Sequence, residues 1–331
     1  MQASVILPTR NRDEILRSCL DSLVLQTLPV DDFEVVIIDN GSTDNTKSVS
    51  LSYSNKLSIS YHYAPEPGLH VGRHEGLRVA KTDLLIYGDD DFQPTPGWVE
   101  ATVNALSDPS VAMVGGNLYP NFEKEPPEWL IRKWNEEVYK GKALGYLGIL
   151  DFGEGSFNID PGYVWGGNMG IRREVLIQAG GFHPDGVPDE RLRYRGDGET
   201  HVSKFVRESG KRAVFDSGVS GHHLVASKRM SKEYFSRRAY MQGISDSYTD
   251  IRASGSGYSL KRLVWTRLRK LNGGLRQYVK YKIKGTDEID EELFIIEKEM
   301  RSAYWRGYRY HQMEVRNDST LLQWVLKESY L

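Results

Sequence analysis

An α/β fold with a mostly parallel, twisted sheet flanked by helices, followed by a helical extension, is predicted by three features of the sequence. Short apolar runs, each closed by a polar or acidic cluster, recur from the N-terminus to about residue 225. Segments of helical period separate these runs, the pattern of strands that pair in parallel and are covered on both faces. Beyond His222-His223 the strand-like runs stop and only helical periodicity continues.

Ser4-Val5-Ile6-Leu7 is the first strand, stopped at Pro8. The next segment carries Ile15, Leu16, Cys19, Leu20 and Leu23 on one helical face, with Asn11 as the expected cap and Glu14 as its reciprocal partner. Cys19 lies in that apolar stripe and is expected in the core. Residues 33–38 form a second strand ending at Asp39, and Asn40-Gly41-Ser42-Thr43-Asp44-Asn45 supplies a turn and a helix cap, a role Asp44 suits better than Asp39. Residues 59–63 alternate like a strand and 71–80 read as a helix. A buried strand follows at 84–87, closed by Gly88-Asp89-Asp90-Asp91, then a helix at 98–106 and a strand at 111–114. Between 141 and 170 glycines interrupt Tyr146, Phe152, Phe157, Tyr163 and Trp165, the composition of loops around a site. Order returns with a strand at 168–171, a helix at 173–179 ended by Gly180-Gly181, a helix at 200–208 and a strand at 213–215. Ser259 is placed to cap a helix bearing Leu260, Leu263, Val264, Leu268 and Leu271, and Thr286 one bearing Ile289, Leu293, Ile296 and Met300. These signals divide the chain into a catalytic domain, 1–225, and a mainly helical extension, 226–331, basic and then acidic.

The 331 residues are 39% hydrophobic and 27% charged with a formal net charge of -2, ordinary for a soluble globular enzyme. Cys19 is the only cysteine, which excludes an intrachain disulfide and any cysteine-built zinc or iron-sulfur site and suits a reducing compartment. No run approaches the ~20 apolar residues of a spanning helix, and a strand starting at Ser4 leaves no room for a signal peptide, so a cytoplasmic location is expected.

In parallel sheets the ligand crevice opens beyond the carboxyl ends of the strands. Thr9-Arg10-Asn11, Asp39-Asn40 and Asp89-Asp90-Asp91 each stand at such an end, so three segments converge on one crevice. In extended backbone Asp89 and Asp91 face the same way, and a divalent cation relieves their repulsion; hard oxygen ligands suit Mg2+ or Mn2+ beside a substrate's phosphates. A solvated acidic turn is the alternative. Asp39 can accept hydrogen bonds from a ribose or a nucleobase edge.

The three motifs in order, Ser4-Val5-Ile6-Leu7-Pro8-Thr9-Arg10-Asn11-Arg12, Val36-Ile37-Ile38-Asp39-Asn40-Gly41-Ser42-Thr43-Asp44 and Leu84-Leu85-Ile86-Tyr87-Gly88-Asp89-Asp90-Asp91, resemble the family 2 glycosyltransferases of the GT-A fold over about residues 1–225. The resemblance implies a hexosyltransferase using a nucleoside-diphosphate sugar, a UDP-sugar favoured, in polysaccharide or cell-envelope glycan synthesis. It implies Pro8, Asp39 and Asp44 in the nucleotide site, with Asp89 and Asp91 as a metal-binding DxD motif. By the same resemblance Arg73 lies near the donor diphosphate, a surface helix residue being the alternative. Trp165-Gly166-Gly167-Asn168 is similar to the family's segment beside the donor sugar and acceptor, where Trp165 could instead be a core side chain.

In Gly196-Asp197-Gly198-Glu199-Thr200-His201 the family's adjacent acids are spread apart, and counting back from Ser209-Gly210 puts Glu199 on the base position with Asp197 in reserve. The implied mechanism is a metal-assisted single displacement with inversion, Glu199 taking the acceptor hydroxyl's proton. An imidazole ligand, His222 rather than His223, would favour Mn2+ over Mg2+. Between Ile251 and Thr286 lie ten Lys or Arg residues and no acid, leaving 33 basic against 45 acidic residues elsewhere. That stretch either meets an anionic membrane carrying a lipid-linked acceptor or docks on the acidic catalytic domain. No nucleic-acid partner is expected, since no recognised module accompanies the charge. One rival is a sugar-nucleotide nucleotidyltransferase, which would show a glycine-rich loop where this chain has Pro8-Thr9-Arg10-Asn11. Another is a non-catalytic glycan-binding protein that retains the fold.

Overall fold

The computed structural model describes residues 1–256 and 287–331. Its centre is an eight-stranded mixed sheet. Four parallel strands, β3 (Ile59–Tyr63), β2 (Phe33–Asp39), β1 (Ala3–Thr9) and β4 (Leu84–Gly88), form one half in that order. β12 (Asn168–Arg172) runs antiparallel between β4 and β6 (Val111–Gly115), and β13 (Arg212–Asp216) and β11 (Ser156–Asn158) complete the edge. All seven residues of β1 and of β2 are buried, as continuous apolar runs in a covered sheet must be.

Helices α1 (Asp13–Val24), α2 (Thr46–Ser52), α3 (Leu69–Val79), α4 (Trp98–Ala105), α6 (Arg173–Gln178) and α7 (Thr200–Glu208) flank this sheet and bury their apolar stripes on it. Cys19 lies in the stripe of α1, buried, as its spacing predicts. The cap of α1 differs from the sequence expectation. Asn11 takes a left-handed conformation, φ 51°, and its Oδ1 accepts the Thr43 amide at 2.8 Å, so it ties the first strand's turn to the second's instead of capping. The free amide of Asp13 is taken by Asp44, whose other oxygen accepts from Thr46 at the start of α2.

A second, six-stranded sheet was not anticipated. It orders β5 (Phe92–Pro94), β14 (Gly221–Val225), β7 (Leu118–Phe122), β10 (Ile149–Asp151), β9 (Gly141–Leu144) and β8 (Glu137–Val138). The stretch from 141 to the strand expected at 168, read as loops, thus contributes β9, β10 and β11, strands too short for a periodic signal. Another unanticipated element, α5 (Glu128–Trp134), buries Trp129, Leu130 and Trp134 behind this sheet.

Among the described residues three helices follow: α8 (Lys232–Ser254), α9 (Glu288–Asn317) and α10 (Ser319–Leu326). The helix expected from Ser259 and the Thr286 cap lie outside the described residues; Asp287 caps α9 by accepting the Asp290 amide. Leu293 and Ile296 of α9 join Trp129, Leu130 and Phe235 in one cluster. α8 and α9 cross closely at Gly243 and Gly307. A Cβ on Gly243 would stand 2.0 Å from the Tyr304 carbonyl oxygen and one on Gly307 2.0 Å from that of Tyr240, so both positions require glycine. No helix among the described residues is long and apolar enough to cross a membrane.

Candidate active site

A cavity of about 770 Å³ opens beyond the carboxyl ends of β1, β2 and β4. Pairing of Thr9 with Asp39 and of Ile6 with Tyr87 brings these ends level, so the polar residues after each strand meet there. Of the residues singled out from the sequence, Pro8, Thr9, Arg10, Asn40, Arg73, Asp89, Asp90, Asp91, Trp165, Gly167 and Glu199 line it.

The three aspartates have three environments. Asp89 is about one-third exposed and faces Arg73, Nη2 to Oδ1 3.5 Å. Asp90 is buried, bonded by Thr9 Oγ1 at 2.7 Å and Arg12 Nη1 at 2.5 Å. Burial, with Asp91 alongside, pushes its carboxyl up to about 7 against the pull of Arg12. Asp91 is buried as well, yet its carboxyl is held well below the usual range: burial opposes ionisation, and His223 and Arg12 outweigh it. Arg12 Nη2 donates to Asp91 Oδ2 at 2.7 Å. Asp91 Oδ1 has no hydrogen-bond donor in line and looks at His223 Nε2, 3.2 Å away.

Asp89, Asp91 and His223 offer ligand atoms that all lie within 4.8 Å of one another. Two carboxylates, an imidazole and an unsatisfied buried oxygen fit a hard-to-borderline divalent cation. The histidine expected for this place, His222, is on the wrong face. In β14 alternate side chains point to opposite sides, so His222 is exposed beside Tyr119 while His223 is buried against Asp91. Pairing of His223 with Phe92, next to Asp91, and the Leu224 amide bond to the Asp91 carbonyl fix that register.

Arg73 is buried between two acids: Nη1 lies 3.4 Å from Glu199 Oε2 and Nη2 3.5 Å from Asp89 Oδ1. Gly166 and Gly167 make room for this arrangement. A Cβ on Gly166 would fall 2.4 Å from Arg73 Nη2, and one on Gly167 2.7 Å from Asp89 Oδ2. Trp165 is half-buried at the cavity, its indole N–H donating to the Gly162 carbonyl at 3.0 Å. Asn168 instead serves the core, accepting from Trp98 Nε1 and donating to the Val219 carbonyl, both at 2.8 Å.

Glu199 and Asp197 part company. Glu199 lines the cavity at the start of α7. The Asp197 side chain is largely enclosed, its oxygens taken by His183 Nδ1 at 2.6 Å and Thr249 Oγ1 at 2.7 Å. Asp39 is likewise committed, to the Ser42 amide at 2.7 Å and the Tyr61 hydroxyl at 2.6 Å. Neither Asp39, Asp44, Asn11, Asn168, Gly166 nor His222 is among the residues at the cavity wall.

Several wall residues were not anticipated. Arg12 bridges Asp90 and Asp91, and Arg229 stands 3.6 Å from Asp91. Tyr234, Arg238 and Gln242 of α8 line the outer side; their four-residue spacing is a helical stripe that was open to reading in the sequence.

Residues 4–180, just over half of the chain, match the model of Glycosyl transferase family 2, and the chain belongs to that family; its fold is of the GT-A type. It is 31% identical over 212 residues to the validoxylamine A glucosyltransferase of Streptomyces hygroscopicus subsp. limoneus, covering 58% of this chain and 47% of that protein. It is 34% identical over 229 residues to the glycosyltransferase AglE of Haloferax volcanii, covering 66% of each. The chain thus spans between about half and two-thirds of the length of these curated relatives. A mannosyltransferase from Pyrobaculum calidifontis, solved with GDP-Man and Mn2+, superposes with a TM-score of 0.49 at 17% identity, covering 96% of this chain and 75% of that one.

Proposed function

We propose that the chain transfers a hexose from a nucleoside-diphosphate sugar, a UDP-sugar first, to a hydroxyl of a glycan acceptor by one inverting displacement. The observation that carries this reading is the placement of the Asp89, Asp91 and His223 ligand atoms and of Glu199 on one cavity wall, with Arg73 between them. A relative at 31% identity is named a glucosyltransferase, which makes a glucose donor the natural first trial.

In this reading the residues at the strand ends, Pro8, Thr9, Arg10 and Asn40, border the nucleotide, and Arg73 and Arg12 orient the diphosphate. A divalent cation, Mn2+ before Mg2+ because of the imidazole, would be held by Asp89, Asp91 and His223 and would offset charge growing on the leaving oxygen. Glu199 accepts the proton of the acceptor hydroxyl as that oxygen bonds to the anomeric carbon, and the diphosphate departs from the opposite face. Trp165 offers an apolar face to a sugar ring. Residues 1–225 form the donor-binding unit and 226–331 complete the acceptor side, at the cytoplasmic face of a membrane if the basic stretch 251–286 makes contact there.

Thermal stabilisation by UDP, GDP, dTDP and CMP, each with and without Mn2+, tests the reading. A Mn2+-dependent shift with one nucleoside diphosphate, UDP expected, supports it, and no shift with any overturns it.

A further inference from the structure

The catalytic cavity does not end at Glu199. Its outer part, walled by Tyr146 before β10 and by Tyr234, Arg238 and Gln242 of α8, shares Lys133, Tyr146 and Met300 with a second hollow of about 370 Å³. Arg301 and Tyr304 of α9 line that second hollow. The two form one groove leading away from the catalytic carboxylates, between α5 and the crossing of α8 with α9.

The charge along this groove is unbalanced. Lys133 is paired with Glu297 at 2.8 Å. Arg238 makes no hydrogen bond or ion pair among the described residues, and its Nε is buried without a partner. Asp185, the acid on the cavity wall that feels its charge, is bound to Arg195 Nη1 at 2.5 Å. Arg301 likewise has no partner among the described residues, and both arginines are partly buried. Guanidinium groups left free in a concave surface hold carboxylate or phosphate by forked, charge-assisted hydrogen bonds. Tyr146, Tyr234 and Tyr304 interleave with them and offer faces on which sugar rings pack.

We infer that this groove binds the acceptor as an acidic glycan chain, Arg238 and Arg301 taking acidic groups on sugars that precede the accepting residue. The inference rests on the proposed glycosyl transfer and adds the acceptor's chemical class. A chain several sugars long spans the groove, its terminal hydroxyl directed at Glu199.

The test measures binding of three probes, an oligogalacturonate, a phosphomannan fragment and neutral maltohexaose, to the full chain by calorimetry, with and without UDP and Mn2+. At least one acidic chain is expected to bind about 10-fold or more tightly than the neutral one, with or without nucleotide. Arg238→Gln and Arg301→Gln should each weaken it about 10-fold. Equal binding of acidic and neutral chains overturns the inference, as does an equal loss in Arg237→Gln, which lies on the exposed side of the same helix bound to Asp189. If Arg238→Gln loses the melting temperature of the parent, Arg301→Gln decides alone. Failure of UDP to stabilise the unsubstituted protein, with acidic-chain binding retained, counts against the donor reading and leaves the groove standing.

Discussion

Arg73 Nη1 lies 3.4 Å from Glu199 Oε2, so the carboxylate at the start of α7 is held by a guanidinium that also reaches Asp89. The arginine is buried and aimed by Gly166, which leaves no volume for a larger residue beside it. A carboxylate so placed is fixed in direction without being sealed from the cavity.

Glu199→Gln should therefore remove transfer and spare the donor. Rate measurements should fall at least about 100-fold, the usual contribution of a general base, while UDP-induced stabilisation stays as in the parent. Asp197→Asn should do the reverse in kind, lowering the melting temperature because it strips a buried hydrogen-bond network. A stable but inactive Asp197→Asn protein, beside an active Glu199→Gln one, would reverse the two roles.

The strand register of β14 separates His223 from His222 and gives a metal test with its own control. Asp91→Ala should abolish Mn2+-dependent nucleotide binding. His223→Gln should weaken the response to Mn2+ by about 10-fold or more, in line with losing one ligand-shell group, and more than the response to Mg2+. His222→Gln, exposed beside Tyr119, should change neither. Titrating each metal against UDP-induced stabilisation separates these outcomes.

Helix α8 reaches into the loop that carries Glu199 through Thr249, which donates to Asp197, and through Ser245, whose hydroxyl donates to the Gly196 carbonyl at 2.8 Å. Thr249→Val leaves Asp197 short of a donor and should cost about 1 kcal/mol of stability. Because the same loop delivers Glu199, kcat should fall while KM for the donor holds, and Thr249→Ser should restore both. An unchanged kcat with the stability loss would confine Thr249 to a structural part.

The strand-end wall of this cavity was legible because each strand ends in a polar cluster and parallel pairing makes those ends coincide, as the Thr9–Asp39 register does. Asp89 and Asp91 could be singled out for that reason, whereas Glu199, at the start of a helix, was reached only through the resemblance, by counting back from Ser209-Gly210. His223 could not be singled out, since choosing between neighbouring histidines needs the register of a five-residue strand paired to β5 and β7, and neither partner has a periodic signature. Asp39, Asn168 and Asp197 show the converse difficulty: polar residues at strand ends and turns serve folding as readily as ligands, and here they bond to Tyr61, Trp98 and His183. The outer wall was missed because Tyr234, Arg238 and Gln242 are meaningful only once α8 is laid across the cavity.

Acid should destabilise the fold through histidines that the structure keeps neutral. His74 Nε2 accepts the Phe182 amide at 2.8 Å, a bond that protonation removes, and burial with His70 nearby holds it down at about 4 against an ordinary 6.5. His311, fully buried with Nδ1 against Ser247 Oγ, is likewise held at about 4 by burial. In both cases the unfolded chain binds the proton more readily than the folded one, so the stability is complete above pH 6.5 and is lost as pH falls towards 4. For His311 the full loss is about 3 kcal/mol. Urea unfolding at a series of pH values should show the midpoint dropping steeply across that window, and His311→Gln should flatten the slope there. Because the raised Asp90 carboxyl acts in the opposite sense over the same window, the comparison with His311→Gln decides: an equal slope in parent and variant would mean that this imidazole is not kept neutral by the fold.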